Sequence, residues 1–241
     1  MAWSLLIRLC APMQSWGTRS RFVERDTELE PSKSGVVGVL CAALGRGRDD
    51  DVSDLAALLM GVRVDREGVL ERDYHTARGD RGVLRANGEI EKKDVVTSNR
   101  YYLADADFLV GLEGERELLE RLEAALAEPR WQIFFGRKSM PPSLPLVLPG
   151  GGLRELPVAE ALEREPWPLR PLSLPPWRYP RSRQRLRLVL EVAPGTAGAE
   201  VRNDQPLGAA FRDRTFGQRP VVHRFIEKEP DDVPESAATP S

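Results

Sequence analysis

The first fifty residues constrain the fold more than any other stretch of this chain. Residues 2–10 alternate around Leu5, Ile7 and Leu9, the period of a strand with one buried face. That strand runs into Ala11 to Gly17 (APMQSWG) and then into a basic segment carrying Arg19, Arg21 and Arg25. Residues 33–45 read as a helix, with Ser32 or Ser34 to cap it, Gly45 to end it, and Val36, Val37, Leu40 and Leu44 as its buried face. Strand, basic loop and helix N-terminus are parts from which a phosphate-backbone site is commonly built.

The rest of the chain continues in mixed helices and strands. Residues 52–60 read as a second short helix, residues 61–64 and 68–76 as two strands around a turn, and residues 101–103 and 108–112 as strands. Glu115 to Ala127 is amphipathic, with Leu118, Leu119, Leu122, Ala125 and Leu126 on one face and Pro129 as its stop. The order β-α-(α)-β-β-…-β-α-β predicts an α+β, ferredoxin-like (RRM-like) domain over residues 1–150. A polar insertion rich in charge and glycine projects from it, at about residues 78–99. Proline and glycine crowd residues 141–180, which reads as irregular loop with a few short strands. Residues 184–193 alternate Arg with Leu or Val, and residues 220–226 are expected to pair with them. Residues 151–226 are thus a Pro-rich connection and a small C-terminal β region, and residues 227–241 a disordered acidic tail.

Composition narrows the function. The chain of 241 residues is 41% hydrophobic and 30% charged, which is globular, and no run approaches the length of a membrane span. The short apolar stretch at the start carries Arg8, so it does not read as a signal peptide, and a cytoplasmic protein is expected. Cys10 and Cys41 are expected as buried thiols rather than a disulfide. With two Cys and two His at no familiar spacing, neither a metal site nor a cofactor is indicated. A net charge of -2 argues against a protein that coats RNA indiscriminately. The bases are nevertheless grouped: seven Arg or Lys against four acids from Ala2 to Arg48, Arg137, Lys138 and Arg154 with no acid from Gly136 to Arg154, and five Arg with no acid from Arg178 to Arg187. Local basic surface on a near-neutral protein suits one defined RNA segment.

Each motif has a functional and a plain reading. Lys33-Ser34-Gly35 opens a helix, but the upstream glycine of a nucleotide-binding P-loop is missing, so an ATP site is not expected and another phosphate contact stays open. A capped core helix with a solvated Lys33 accounts for the same residues. Phe135-Gly136-Arg137-Lys138-Ser139 offers a glycine for close backbone approach and two bases, or simply a solvated turn. Gln14-Ser15-Trp16-Gly17 sets an aromatic face beside polar groups, suited to an unpaired base, or places a Trp in the core. Tyr74, His75 and His223 are the residues that metal-free RNA cleavage would use. Adjacent strand residues point to opposite faces, so Tyr74 and His75 do not easily serve one bond, and His75 reads better as a core or RNA-contact residue.

The motifs in this order resemble the CasD-type RAMP subunit of the type I-E CRISPR surveillance complex (Cascade). The pieces are Arg8-Leu9, Pro12-Met13-Gln14-Ser15-Trp16-Gly17, Pro31-Ser32-Lys33-Ser34-Gly35, Leu44-Gly45-Arg46-Gly47-Arg48-Asp49-Asp50, Arg72-Asp73-Tyr74-His75-Thr76, Arg100-Tyr101-Tyr102-Leu103-Ala104-Asp105-Ala106 and Phe135-Gly136-Arg137-Lys138-Ser139. The resemblance covers about the first 150 residues. It implies a ferredoxin-like RAMP domain with a thumb insertion, here about Arg78 to Asn99, and a non-catalytic role holding the 5′ handle of the CRISPR RNA and capping the backbone in antiviral defence. Implied partners are that RNA, the CasC backbone subunit through the thumb, and the large CasA subunit, with no stable homo-oligomer. The implied RNA contacts are Gln14, Trp16, Arg19, Arg21, Arg25, Lys33, Ser34, Arg46, Arg48, His75, Gly136, Arg137, Lys138 and Ser139. Two alternatives stand: a metal-independent endoribonuclease that processes repeat RNA, and a purely protein-binding scaffold.

Overall fold

The computed structural model describes residues 1–19, 23–79, 82–84, 88–91, 95–167, 184–207, 210–213 and 215–228. Arg21, the arginines at 178, 181 and 183, and nearly all of the expected acidic tail lie outside them. The strands are β1 (Trp3–Cys10), β2 (Met13–Gln14), β3 (Glu24–Arg25), β4 (Leu59–Arg66), β5 (Val69–Ala77), β6 (Val83–Leu84), β7 (Ile90–Glu91), β8 (Val96–Ala104), β9 (Asp107–Gly114), β10 (Leu153–Arg154), β11 (Gln184–Glu191), β12 (Glu200–Pro206) and β13 (Phe216–Lys228). The helices are α1 (Lys33–Leu44), α2 (Ser53–Ala56), α3 (Arg116–Ala127) and α4 (Val158–Arg164).

Seven strands make the main antiparallel sheet, in the order β10-β1-β9-β4-β11-β13-β12. Its larger core lies where α1 and α3 pack: Leu5, Ile7 and Leu9 of β1 meet Val36, Leu40, Leu119 and Leu122. The opposite face carries Leu6, Leu109, Leu188 and Leu190 against Val158, Ala161 and Leu162 of α4. The strict alternation of β1 is thus a strand buried on both sides by different layers. The C-terminal strands join the same sheet, because β11 pairs with β4 from Arg187↔Val64 to Leu190↔Gly61.

Three elements differ from expectation. The second helix stops at Ala56, since Leu59 and Met60 already belong to β4. The strands around residue 67 form no hairpin: β4 enters the main sheet while β5 pairs with β8 in a smaller sheet with β2 and β3. The reason is burial, because β4 has a buried run and β5 is exposed along most of its length. Within the Pro-rich stretch, α4 is a real helix whose last carbonyls are occupied. Arg63, fully buried, donates from Nη1 to the carbonyls of Leu162 (2.8 Å) and Glu165 (2.5 Å) and from Nη2 to that of Pro166 (3.0 Å). A cation is favourable at a helix C-terminus, and this one ties α4 to β4.

Candidate nucleic-acid interface

The site is built on α1, whose sequence is KSGVVGVLCAAL. Ser34, Gly38 and Ala42 recur every four residues and so share one face, and all three border an open groove of about 1040 Å³. Gly38 is exposed, and a Cβ there would meet nothing within 4 Å. A glycine inside a helix costs about 1 kcal/mol relative to alanine, and no neighbouring side chain makes use of the space. The helix floor is therefore bare. The groove shares Gly17, Ser34, Gly35, Gly136, Phe211 and Phe216 with a smaller recess of about 410 Å³.

Arginine dominates the charge along both. Arg19, Arg46 and Arg48 line the larger part, Arg25 and Arg137 the smaller, and among the described residues lining either, Asp26 is the only acid. Arg19, Arg25 and Arg48 are exposed and make no ion pair among the described residues. Arg46 is held by Asp54 at 2.5 and 2.7 Å. Arg137 donates to the carbonyl of Tyr101 at 2.7 Å. Burial, then the like charges of Arg100 and Arg25, lower its pKa. Arg25 and Arg100 are register partners on β3 and β8, so the sheet itself crowds three guanidinium groups. Asp73, the register partner of Arg100 on β5, opposes them in part, and the positive charge left over is what a polyanion relieves.

Several expected contacts are corrected. Lys33 is buried, its Nζ 3.0 Å from both oxygens of Glu191. Its backbone N–H donates to Asp204 at 2.7 Å, and Asp204 is in turn gripped by Arg219 at 2.8 Å through each oxygen. A carboxylate from β12 thus takes the place at the helix N-terminus where a phosphate was expected, and the Ser32 side chain makes no cap bond. Burial is the first cause that lowers the Lys33 pKa, with Glu191 opposing it. Gln14 is fully buried: its Nε2 donates to the carbonyls of Leu9 (3.0 Å) and Ala106 (2.8 Å), and its Oε1 accepts from Trp16 Nε1 at 3.2 Å. Trp16 is 1% exposed, 5.6 Å from the Phe135 ring, and a Cβ on Gly35 would come within 2.8 Å of it. Trp16 is core, and with every polar group used, neither it nor Gln14 can read a base.

Gly136 has φ +88°, and a Cβ there would lie 2.0 Å from the carbonyl oxygen of Ser15. Its glycine therefore serves a close approach of two backbone segments, while its exposed edge borders the groove. Lys138 and Ser139 are exposed but do not line it. Tyr74 and His75 stand on β5 of the smaller sheet, with His75 Nδ1 3.9 Å from Asp73. His223 is on β13 of the main sheet, 3.5 Å from Glu200. The structure does not bring the three together. Among the described residues no three of His, Cys, Asp and Glu are grouped to hold a metal ion, and no helix is long and apolar enough to cross a membrane.

Sequence reading missed the aromatic residues of the groove: Trp131, which is 47% exposed, Phe134, Phe211 and Phe216. Trp131 and Phe134 sit just ahead of the Gly136 motif and were within reach; Phe211 and Phe216 come from a segment far along the chain from α1, with no local signature. Arg100 belongs to one of the motifs that carry the resemblance but was not among the expected RNA contacts.

The family model for "CRISPR-associated protein (Cas_Cas5)" matches residues 4–222. The chain is 36% identical over 160 residues to the CRISPR system Cascade subunit CasD of Escherichia coli (strain K12), a match covering 60% of this chain and 69% of that protein. One similar solved structure, a crystal structure of a Cas protein, is 46% identical, with a TM-score of 0.71, and the match covers 96% of this chain and 100% of the other. A chain of a CRISPR RNA-guided surveillance complex is 35% identical, with a TM-score of 0.75 and coverage of 93% and 90%.

Proposed function

This chain belongs to the Cas5 family of CRISPR-associated proteins, and on that premise we propose that it is a non-catalytic RNA-binding subunit of a type I-E Cascade. The groove over α1 would hold the 5′ handle of the guide RNA in the cytoplasm, at one end of the backbone. The observation that carries this reading is the bare glycine floor beneath an arginine-lined groove. Backbone and small side chains let a strand approach closely, and the arginines supply phosphate contacts that carry no sequence information. The likeness to a chain of an RNA-guided surveillance complex supports the same assignment.

The strand order supports the finer fold reading. β10-β1-β9-β4, all antiparallel with α1 and α3 against one face, is the order expected of a ferredoxin-like unit. We read the β5–β8 hairpin and the short β6–β7 pair beyond it as the thumb that engages CasC, with CasA as a further neighbour. Separation of Tyr74 and His75 from His223 on two sheets weighs against the endoribonuclease reading. The bare arginines weigh against a purely protein-binding scaffold.

The test is co-expression with the other Cascade subunits and a repeat-spacer transcript, comparing wild type with Gly38→Leu. The leucine fills the groove without touching the core, so the expected result is a folded variant that no longer protects the handle. Handle protection equal to wild type would overturn the assignment of the groove, and cleavage of repeat RNA by the purified chain in EDTA would overturn the non-catalytic role.

A further inference from the structure

We infer that Phe211 and Phe216 form a stacking subsite for one unpaired RNA base, an inference that rests on the RNA-binding reading above. Both residues line the large groove and the smaller recess, at the junction between them. They belong to the connection from β12 to β13: Phe211 opens a 3₁₀ turn, Phe211–Asp213, and Phe216 is the first residue of β13.

The connection is fastened at its base and at its tip. At the base, the Leu207 N–H donates to the carbonyl of Thr215 at 3.0 Å. At the tip, the Arg212 N–H donates to the carbonyl of Arg48 at 2.9 Å, and the Arg212 guanidinium pairs with Asp49 at 2.5 Å. Phe211 packs against the main core, whereas Phe216 is 38% exposed. One ring is thus anchored and the other presented. Rings held in place before a ligand arrives lose little further freedom on binding.

The charge beside the rings identifies the occupant. An apolar peptide would bury the guanidinium groups of Arg19 and Arg48, which make no ion pair among the described residues, against nothing. Single-stranded RNA satisfies both kinds of surface, since its phosphates meet the arginines and its bases each present a π face. A duplex keeps its bases stacked on one another and has none to offer. Stacking of this kind tolerates any base, so the subsite would fix the position of a nucleotide rather than select its identity.

The experiment uses the full chain and short single-stranded RNAs in which each nucleotide in turn is replaced by 2-aminopurine. One position should change its fluorescence on binding. Phe216→Ala should abolish that change and weaken binding about ten-fold, with the melting temperature kept, and Phe216→Tyr should restore both. An abasic nucleotide at the same position should weaken the wild type by a similar factor and add no further loss in Phe216→Ala. Because Phe211 also packs, Phe211→Leu is the second variant: it keeps an apolar side chain in the core and removes the ring, and it should reduce the signal. If both variants bind every RNA as the wild type does while Arg48→Ala binds more weakly, the stacking subsite is wrong and the RNA-binding groove stands. If the wild type binds none of the RNAs, the groove reading falls and takes the subsite with it.

Discussion

Arg25 and Lys33 lie eight residues apart and both read as phosphate contacts from the sequence, yet they do opposite work. Lys33 is 2% exposed and locked to Glu191, a residue 158 positions later. Arg25 is exposed beside Arg100 and Arg137 and makes no ion pair among the described residues, with Asp73 facing Arg100 from β5. The difference arises in the C-terminal strands. β11 and β12 deliver Glu191 and Asp204 to the start of α1, and Arg219 on β13 completes a buried set of four charges. At the other end β5 sets Asp73 opposite Arg100, and among the described residues no carboxylate pairs with Arg25. A positive residue becomes part of the fold or part of a binding surface according to whether distant strands bring it a counter-charge.

The sharpest way to break that comparison is to remove the counter-charge. Asp204→Ala leaves Arg219 buried without its two-point partner and leaves the first N–H of α1 uncapped. Breaking one member of a buried pair costs about 3–5 kcal/mol, so urea unfolding should show a loss of that order. Asp204→Asn keeps the shape and an acceptor for the N–H, and should lose less. If Asp204→Ala unfolds at the wild-type midpoint, the cluster is not the tie between α1 and the C-terminal strands.

The opposite arm sharpens the contrast. Arg25→Ala takes one charge from a mutually repelling trio, so stability should change by no more than about 0.5 kcal/mol. RNA affinity should fall, and the slope of log affinity against log salt should shrink by about 0.7 for one phosphate contact on a single strand. Arg137→Ala should behave similarly in slope, with some added loss of stability from its bond to the Tyr101 carbonyl. Unchanged slopes in both variants would show that the trio does not meet the RNA backbone.

These two arms also mark how far the sequence could be read. The alternation of β1, the apolar faces of α1 and α3 and the strand pattern of β11 follow from local period and were legible. Gly45 was legible as the helix stop, and it does adopt the left-handed conformation at φ +75°. What local period cannot supply is partnership across the chain. Lys33 and Arg25 both read as phosphate contacts, and the path of β11 to β13 is what separates them. Trp16 and Gln14 failed for a related reason: a polar-aromatic cluster that suits a base equally suits the core once a neighbour such as Gly35 makes room for the ring. Arg46 and Arg48 were legible as neighbours of the groove because they sit in the short loop after α1, where chain continuity fixes their position. The aromatic pair at 211 and 216 was not, since its meeting with α1 depends on the whole sheet.

Between the buried cluster and the bare arginines lies an intermediate case, the Arg46–Asp54 pair at the edge of the groove. The Arg46 hydrogen bond is the first cause holding the Asp54 carboxyl below its ordinary value of 3.8. A carboxyl depressed by folding adds stability that is present above its unfolded pKa and lost as the pH falls through its folded one. Asp54 is 38% exposed and Arg46 25%, so solvent and salt screen the pair and its contribution is at most about 1 kcal/mol. Asp54→Asn should therefore lower the neutral-pH melting temperature only slightly and make the loss of stability between about pH 5 and pH 2 correspondingly shallower. Since Arg46 is then released from its carboxylate, the same variant should bind RNA at least as tightly as wild type. A large fall in stability at neutral pH would move Arg46 into the class of Lys33, as a structural charge. A loss of RNA binding with stability kept would mean that Asp54 aims the guanidinium at the groove.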